Sequence, residues 1–215
     1  MFQTVIFDLD GTLLDTMPDL MDAGNHVCRQ HGWPTCDIEA YRTMVGIGTR
    51  DLLQALAPNG AEDPGLDDAI AEYMDYYGKH NADKTIPYPG ITALLNTLRE
   101  NGIRMAICSN KSDAFTKKLA EHYFPGTFPV VRGRIDGFPG KPDPAGIHLI
   151  MSELGADKAS TLYVGDSNID IRTAHNSGLV SCGVSWGFRG RQELEEAGAQ
   201  HIVDTAEELL ALILA

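Results

Sequence analysis

Short apolar runs, each closed by a cluster of polar residues and followed by helical spacing, recur along most of this chain. Thr4-Val5-Ile6-Phe7 runs into Asp8. Ile103-Arg104-Met105-Ala106-Ile107-Cys108 runs into Ser109-Asn110-Lys111, and Thr161-Leu162-Tyr163-Val164-Gly165 runs into Asp166-Ser167-Asn168-Ile169-Asp170. Weaker runs occupy 129–132, 179–184 and 200–203. Near-continuous apolar runs of this length are strands buried on both faces. The stretches 91–101, 112–123, 145–154, 192–197 and 205–214 carry helical spacing between or after them. Strand–helix repetition of this kind implies an α/β fold, a doubly wound parallel sheet, and such sheets bind ligands at the carboxyl ends of their strands. The strongest polar clusters fall at that end.

One segment breaks the alternation. Thr16-Met17-Pro18 reads as a helix start, with Thr16 as cap and the proline inside the first turn. Apolar residues then recur at Leu20, Ala23, Gly24, Val27 and Cys28. Further helical pieces lie near 38–45, 49–57 and 66–80, with Pro58-Asn59-Gly60 and Asp63-Pro64-Gly65 as breakers, and no strand pattern appears before Tyr88. Residues 15–87 therefore read as a small helical bundle inserted after the first strand, and 1–14 with 88–215 as the α/β core.

Asp8 and Asp10 end the first strand two residues apart, so an extended chain aims both carboxylates at one spot. Like charges that close repel, and burial worsens the repulsion. A fold that keeps such a pair needs a compensating cation, and oxygen ligands alone favour a hard divalent one. Asp166 and Asp170, at i and i+4 on an opening helical turn, share a face and offer two more carboxylates, although an acidic first turn is also common without a metal. Ser109 and Asn110 read equally well as a helix cap or as a phosphate site at a helix N-terminus. Lys141 opens a Lys-Pro-Asp-Pro string in which Asp143 is placed to cap the next helix.

Taken in order, Asp8-Leu9-Asp10-Gly11-Thr12, Ser109-Asn110-Lys111, Lys141-Pro142-Asp143-Pro144 and Gly165-Asp166-Ser167-Asn168-Ile169-Asp170 resemble the four motifs of the haloacid dehalogenase superfamily of phosphohydrolases. The resemblance spans nearly the whole chain. It implies a Rossmann-like core in which Asp8 is the nucleophile, Asp10 the acid/base and Lys141 the cation that neutralises nucleophile and phosphoryl group. It further implies Mg2+ held by Asp8, the Asp10 carbonyl, Asp166 and Asp170, the last directly or through water. Gly11, Thr12, Ser109, Asn110 and Lys141 would hold the substrate phosphate. The insert resembles a C1 cap, with Thr16, Thr49 and Arg50 placed to face the pocket. Asp10 separates the chain from the transport ATPases and the dehalogenases, and the insert offers only Lys79 and Lys84 as the Schiff-base lysine of a phosphonatase. The Ser109-Asn110-Lys111 string, Tyr88-Pro89-Gly90 and Val184-Ser185-Trp186-Gly187 resemble the phosphoglycolate phosphatase branch, which implies hydrolysis of small phosphomonoesters through an aspartyl-phosphate. A pyrophosphatase, a β-phosphoglucomutase-like phosphotransferase and a non-catalytic phosphate-binding regulator remain alternatives.

Composition narrows the partners. With 17 basic against 30 acidic residues the net charge is −13, which repels nucleic acid and anionic membranes. No apolar run reaches the roughly 20 residues of a membrane span, and the chain enters a strand at once, so a cytoplasmic protein acting on a small phosphorylated metabolite, as monomer or homodimer, is expected. The four cysteines lack C-x-x-C spacing and read as reduced, mostly buried thiols. The seven histidines form no zinc-ligand pair on one helix.

Overall fold

The computed structural model describes residues 1–215. Strand β1 (Thr4–Phe7) leads into a tight turn, and β2 (Leu14–Asp15) follows. Four helices come next: α1 (Met17–Gln30), α2 (Ile38–Met44), α3 (Thr49–Leu56) and α4 (Leu66–His80). The chain returns through β3 (Ile86–Pro87) and continues as α5 (Ile91–Glu100), β4 (Arg104–Ser112), α6 (Asp113–Tyr123), β5 (Val130–Arg134) and α7 (Ala145–Leu154). It ends with β6 (Thr161–Gly165), α8 (Asn168–Ser177), β7 (Val180–Val184), α9 (Gly190–Glu196), β8 (His201–Val203) and α10 (Ala206–Leu214).

The six long-range strands form one parallel sheet in the order β5-β4-β1-β6-β7-β8. β1 is central because it is apolar on both faces: Val5 and Phe7 join the larger apolar core on one side, and Ile6 joins a second on the other. Its register sets Phe7 beside Ile107 of β4 and Val164 of β6. Asp8, Ser109 and Asp166 therefore lie at nearly the same height across the sheet.

The helices α1 to α4 close around their own apolar core, with Tyr41, Tyr73 and Tyr77 almost wholly buried. Phe188, from the loop after β7, is buried in that same core and fastens the helices to the sheet. Burying a side chain of this size contributes roughly 2 kcal/mol. Asp19 of α1 pins the returning chain: its buried carboxylate accepts hydrogen bonds from the backbone N–H groups of Lys84 and Thr85 and from the Thr85 hydroxyl at 2.8 Å.

Three local expectations need correction. Residues 15–87 are not strand-free, since Leu14 pairs with Pro87 and Asp15 with Ile86 in a two-residue antiparallel ribbon. Neither segment alternates long enough to read as a strand, and the pairing follows from the two crossings between sheet and helices lying side by side. Thr16 precedes α1 but makes no capping bond, because its hydroxyl donates to Asp10 instead. β4 runs on to Ser112 rather than ending at Cys108, since β5 pairs with it past a register shift between Cys108 and Ser112. Ser109 and Asn110 thus sit in a strand, not at a helix N-terminus. Cys28, Cys108 and Cys182 are buried free thiols and Cys36 is half-buried. No helix is long and apolar enough to cross a membrane.

Candidate active site

Asp8 follows the last residue of β1, and its Oδ1 accepts the backbone N–H of Leu9 at 2.7 Å. Lys141 Nζ approaches the same oxygen at 2.9 Å and reaches Asp170 Oδ1 at 2.8 Å. Asp170 is completely buried, and its oxygens also accept from the Tyr163 hydroxyl and from the N–H and hydroxyl of Ser167. Ser167 and Asp170 form a reciprocal capping box at the start of α8. With those partners, Asp170 holds Lys141 in place.

Asp166 leaves β6 and turns its carboxylate to the Thr12 hydroxyl at 3.3 Å and the Phe188 N–H at 2.7 Å. Two glycines make room for it. A Cβ on Gly11, whose φ is +80°, would stand 2.3 Å from Asp166 Oδ2, and one on Gly187 would stand 2.2 Å from the Asp166 Cβ. Asp10 turns the other way. Its carboxylate takes both oxygens to Lys111 Nζ, at 2.9 and 2.8 Å, and accepts the Thr16 hydroxyl at 2.7 Å.

Burial and charge set the ionisation of these groups. Burial pushes Asp8 from its ordinary 3.8 up to about 7, with Lys141 opposing the rise and Asp170 adding to it. Burial, then the neighbouring Asp170 and Asp8, holds Asp166 well above the carboxylate range. For Lys141, burial alone would lower the pKa, yet the Asp170 and Asp8 carboxylates outweigh it and the group stays charged. Four carboxylates against Lys111 and Lys141 leave two negative charges uncompensated when all are ionised. One divalent cation matches that deficit. Asp8, Asp166 and Asp170 bring carboxylate oxygens within 4.8 Å of one another, an all-oxygen donor set that fits Mg2+. Because four other donors already occupy Asp170, Asp8 and Asp166 are the carboxylates with capacity left for a metal.

The phosphate-side expectations divide. Ser109 lines the cleft, and its hydroxyl accepts only the Lys111 N–H, so its own proton is available to a ligand. Asn110 does not offer its amide there: Nδ2 donates to the carbonyls of Lys141 and Gly46, and Oδ1 accepts the Lys141 N–H. The Gly11 N–H is taken by the Leu14 carbonyl, and the Thr12 hydroxyl by Asp166. Both residues serve the placement of Asp166. On the helical side, Thr49 lines the cleft, Thr16 is buried against Asp10, and Arg50 lies outside it. Arg50 is exposed and pairs with Asp67 at 2.7 Å across the helical surface. A solvated helix arginine has nothing to draw it inward.

Comparison with known proteins places this geometry. A family described as haloacid dehalogenase-like hydrolase matches residues 5–184. The chain belongs to that family. A phosphoglycolate phosphatase of Pseudomonas putida is 33% identical over 214 residues, which cover 96% of this chain and 78% of the relative. The crystal structure of a candidate phosphoglycolate phosphatase from Lactobacillus delbrueckii subsp. bulgaricus superposes with a TM-score of 0.88 at 34% identity, covering 99% of this chain and 98% of that one. CbbY from Rhodobacter sphaeroides, solved with phosphate, gives a TM-score of 0.82 at 26% identity, covering 97% and 96%. The chain is a phosphatase of the haloacid dehalogenase-like type.

Motif reasoning assigns no role to several residues in and around the cleft. The Lys111 side chain is 4% exposed, contacts Asp10 and brings its ammonium 4.8 Å from the centre of the Tyr77 ring. The alternation expected to align Asp8 with Asp10 fails there, because β1 ends at Phe7 and the two carboxylates turn apart; applied to β4, it pairs Ser109 with this lysine. Tyr73 and Tyr77 line the cleft from α4, and nothing in the helical spacing of 66–80 marks them as site residues. Arg189 grips the carbonyls of Thr43 and Val45, both at 3.0 Å, and Arg134 that of Ile47 at 2.8 Å. Those long-range backbone contacts leave no sequence signature.

Proposed function

We propose that this protein is a Mg2+-dependent phosphatase of small phosphomonoesters, of the phosphoglycolate type, working through an aspartyl-phosphate on Asp8. Residues 15–87 act as its cap, and 1–14 with 88–215 as its catalytic core. The observation that carries the reading is the division of labour between two adjacent aspartates. Asp8 is held by Lys141 beside an acidic cluster, while Asp10 is turned away to a separate set of partners. One carboxylate is placed to attack and the other to exchange protons.

Lys141 neutralises charge on Asp8 and on the transferring phosphoryl group, without which a carboxylate could not approach a phosphate. Asp8 attacks phosphorus in line, the ester P–O bond breaks, and Asp10 gives the leaving oxygen its proton. Asp10, now a carboxylate, takes a proton from water as that water attacks phosphorus and releases Asp8 and inorganic phosphate. The Ser109 hydroxyl donates to a phosphoryl oxygen. Asp170 fixes Lys141, and Thr16 orients Asp10. Asp8, Asp166 and the Asp10 carbonyl would hold Mg2+, which when bound screens the phosphoryl charge and orients the ester. The helices exclude water over the site, with their loop between α2 and α3 tied to the sheet by Asn110, Arg134 and Arg189.

The test is phosphate release from a panel of small phosphomonoesters, inorganic pyrophosphate and a hexose phosphate, with and without Mg2+. Mg2+-dependent release from a monoester, lost in Asp8→Asn, supports the reading. Isomerisation of the hexose phosphate without net release, or activity that persists in Asp8→Asn, rejects it.

A further inference from the structure

The mechanism leaves one buried cation without a task. Lys141 serves Asp8 and the phosphoryl group. Lys111 stands on the other side, with its side chain 4% exposed and both oxygens of Asp10 as its only hydrogen-bond partners. An ammonium has three N–H donors in compact geometry, and the remaining face of this one meets the Tyr77 ring at 4.8 Å from its centroid. Lys111, Tyr73, Tyr77, Phe115 and Thr49 line the same cleft as Asp8 and Asp10. Buried between that carboxylate and aromatic rings, its charge rests on the Asp10 pair alone.

Its place follows from that of Asp10. Asp10 must reach the ester oxygen that departs, so a group touching Asp10 from the cleft wall lies beside the leaving group and not beside phosphorus. We infer that Lys111 is the specificity-determining residue of the leaving-group side, recognising substrates whose leaving group carries a second anion a few bonds from the ester oxygen. That anion, a carboxylate or a second phosphate, takes one of the N–H groups that Lys111 otherwise gives to Asp10, which frees an Asp10 oxygen to face the ester oxygen. A neutral leaving group offers the ammonium nothing. The inference rests on the proposed phosphatase reading and adds to it the residue that selects among phosphomonoesters.

The walls agree with this assignment. Tyr77 is almost wholly buried, and its hydroxyl has no hydrogen-bond partner. Asp10 is the charge that most raises the Tyr77 pKa after burial itself. The rest of this wall is apolar or aromatic, supplied by Leu20, Leu52 and Phe115. In such surroundings one ammonium dominates the choice between charged and neutral leaving groups, because little water screens it. Arg189, the other cation lining the cleft, is committed to the carbonyls of Thr43 and Val45, and Arg50 lies outside the cleft, paired with Asp67 at the surface.

The experiment compares kcat/KM for 2-phosphoglycolate, propane-1,3-diol bisphosphate and ethyl phosphate, with Mg2+ present, in the wild type, Lys111→Met and Lys111→Arg. The wild type is expected to prefer a doubly anionic ester over ethyl phosphate by about a hundredfold or more, with whichever of the two anions is favoured naming the second group. Lys111→Met should collapse that ratio by at least about tenfold, mainly through KM, and Lys111→Arg should restore much of it. A wild type that hydrolyses all three esters equally overturns the inference without any variant. So does a Lys111→Met protein that loses activity on all three in equal proportion, which would make the lysine a support for Asp10. Failure of the wild type on every ester would instead reject the phosphatase reading beneath it.

Discussion

The floor of the cleft, at the ends of β1, β4 and β6, holds its side chains by charge, whereas the roof, from α1, α3 and α4, offers apolar and aromatic faces and is bound to the core through backbone carbonyls. On the floor each polar group has a named partner: Lys141 between Asp8 and Asp170, Asp10 between Lys111 and Thr16, Asp166 between Thr12 and the Phe188 N–H. Under the roof, Asn110, Arg134 and Arg189 reach the carbonyls of residues 43 to 47. The floor's chemistry depends on which side chains are present, while the attachment of the roof depends on chain path. The floor should therefore be intolerant of substitution and the roof selective in its effects.

The largest effect is expected at Asp8. Asp8→Asn removes the nucleophile, and kcat should fall about 10⁴-fold or more. The same change removes a carboxylate that burial disfavours, so the metal-free variant should be at least as stable as the wild type in urea. Activity and stability moving in opposite directions would mark the floor as built for chemistry, and a destabilised Asp8→Asn protein would break that comparison. Lys141→Met comes next. It leaves Asp8 and Asp170 buried without their cation, which should cost roughly 3–5 kcal/mol of unfolding free energy in the metal-free protein. Urea titration measures it, and a loss below about 1 kcal/mol would show that the two carboxylates do not depend on this lysine.

A smaller effect concerns pH. Asp8 is raised from 3.8 to about 7 in the folded protein, so folding favours its protonated form. That contribution is fully present below the unfolded value and is lost as pH rises through about 7. The metal-free protein should lose thermal stability from this group across that window. Mg2+ competes with the proton, so the rise in melting temperature on adding Mg2+ should be larger at about pH 8 than at about pH 5. A Mg2+ shift independent of pH would separate Asp8 from the metal. The smallest effect lies on the outer surface of the roof. Arg50→Ala removes an exposed ion pair and should change stability by less than about 0.5 kcal/mol and kcat/KM by less than about twofold. A large rise in KM would draw Arg50 back into the pocket.

The same contrast explains what could be read from the sequence. The doubly wound sheet was legible because β1, β4 and β6 are apolar on both faces and end abruptly in polar residues. Asp8 and Asp166 follow those strand ends, Ser109 lies in the last part of β4 and Lys141 precedes α7, so their convergence was a matter of topology. Asn110, Gly11 and Thr12 lie in the same motifs, but adjacency in sequence does not say which hydrogen-bond capacity is already taken. In the structure Asn110 serves Lys141 and the roof, and Gly11 and Thr12 serve Asp166. The likeness to a C1 cap places Arg50 with Thr49 toward the pocket, yet one helical step turns it to solvent and Asp67. The grip of Arg134 and Arg189 on the loop between α2 and α3 joins residues more than 80 apart through carbonyls, which every residue possesses and no sequence pattern marks.

The proposed chemistry requires covalent participation by Asp8. Its most direct test is mass spectrometry of acid-quenched protein during turnover of p-nitrophenyl phosphate, with Mg2+, using Asp10→Asn to slow release of the intermediate. This ester has a leaving group that departs without an acid, so formation of the intermediate proceeds while its hydrolysis lacks a base. One added phosphoryl group is expected on the peptide that carries Asp8, and none in the Asp8→Asn/Asp10→Asn double variant. Steady release of phosphate with no phosphoryl group on that peptide at any time would contradict it.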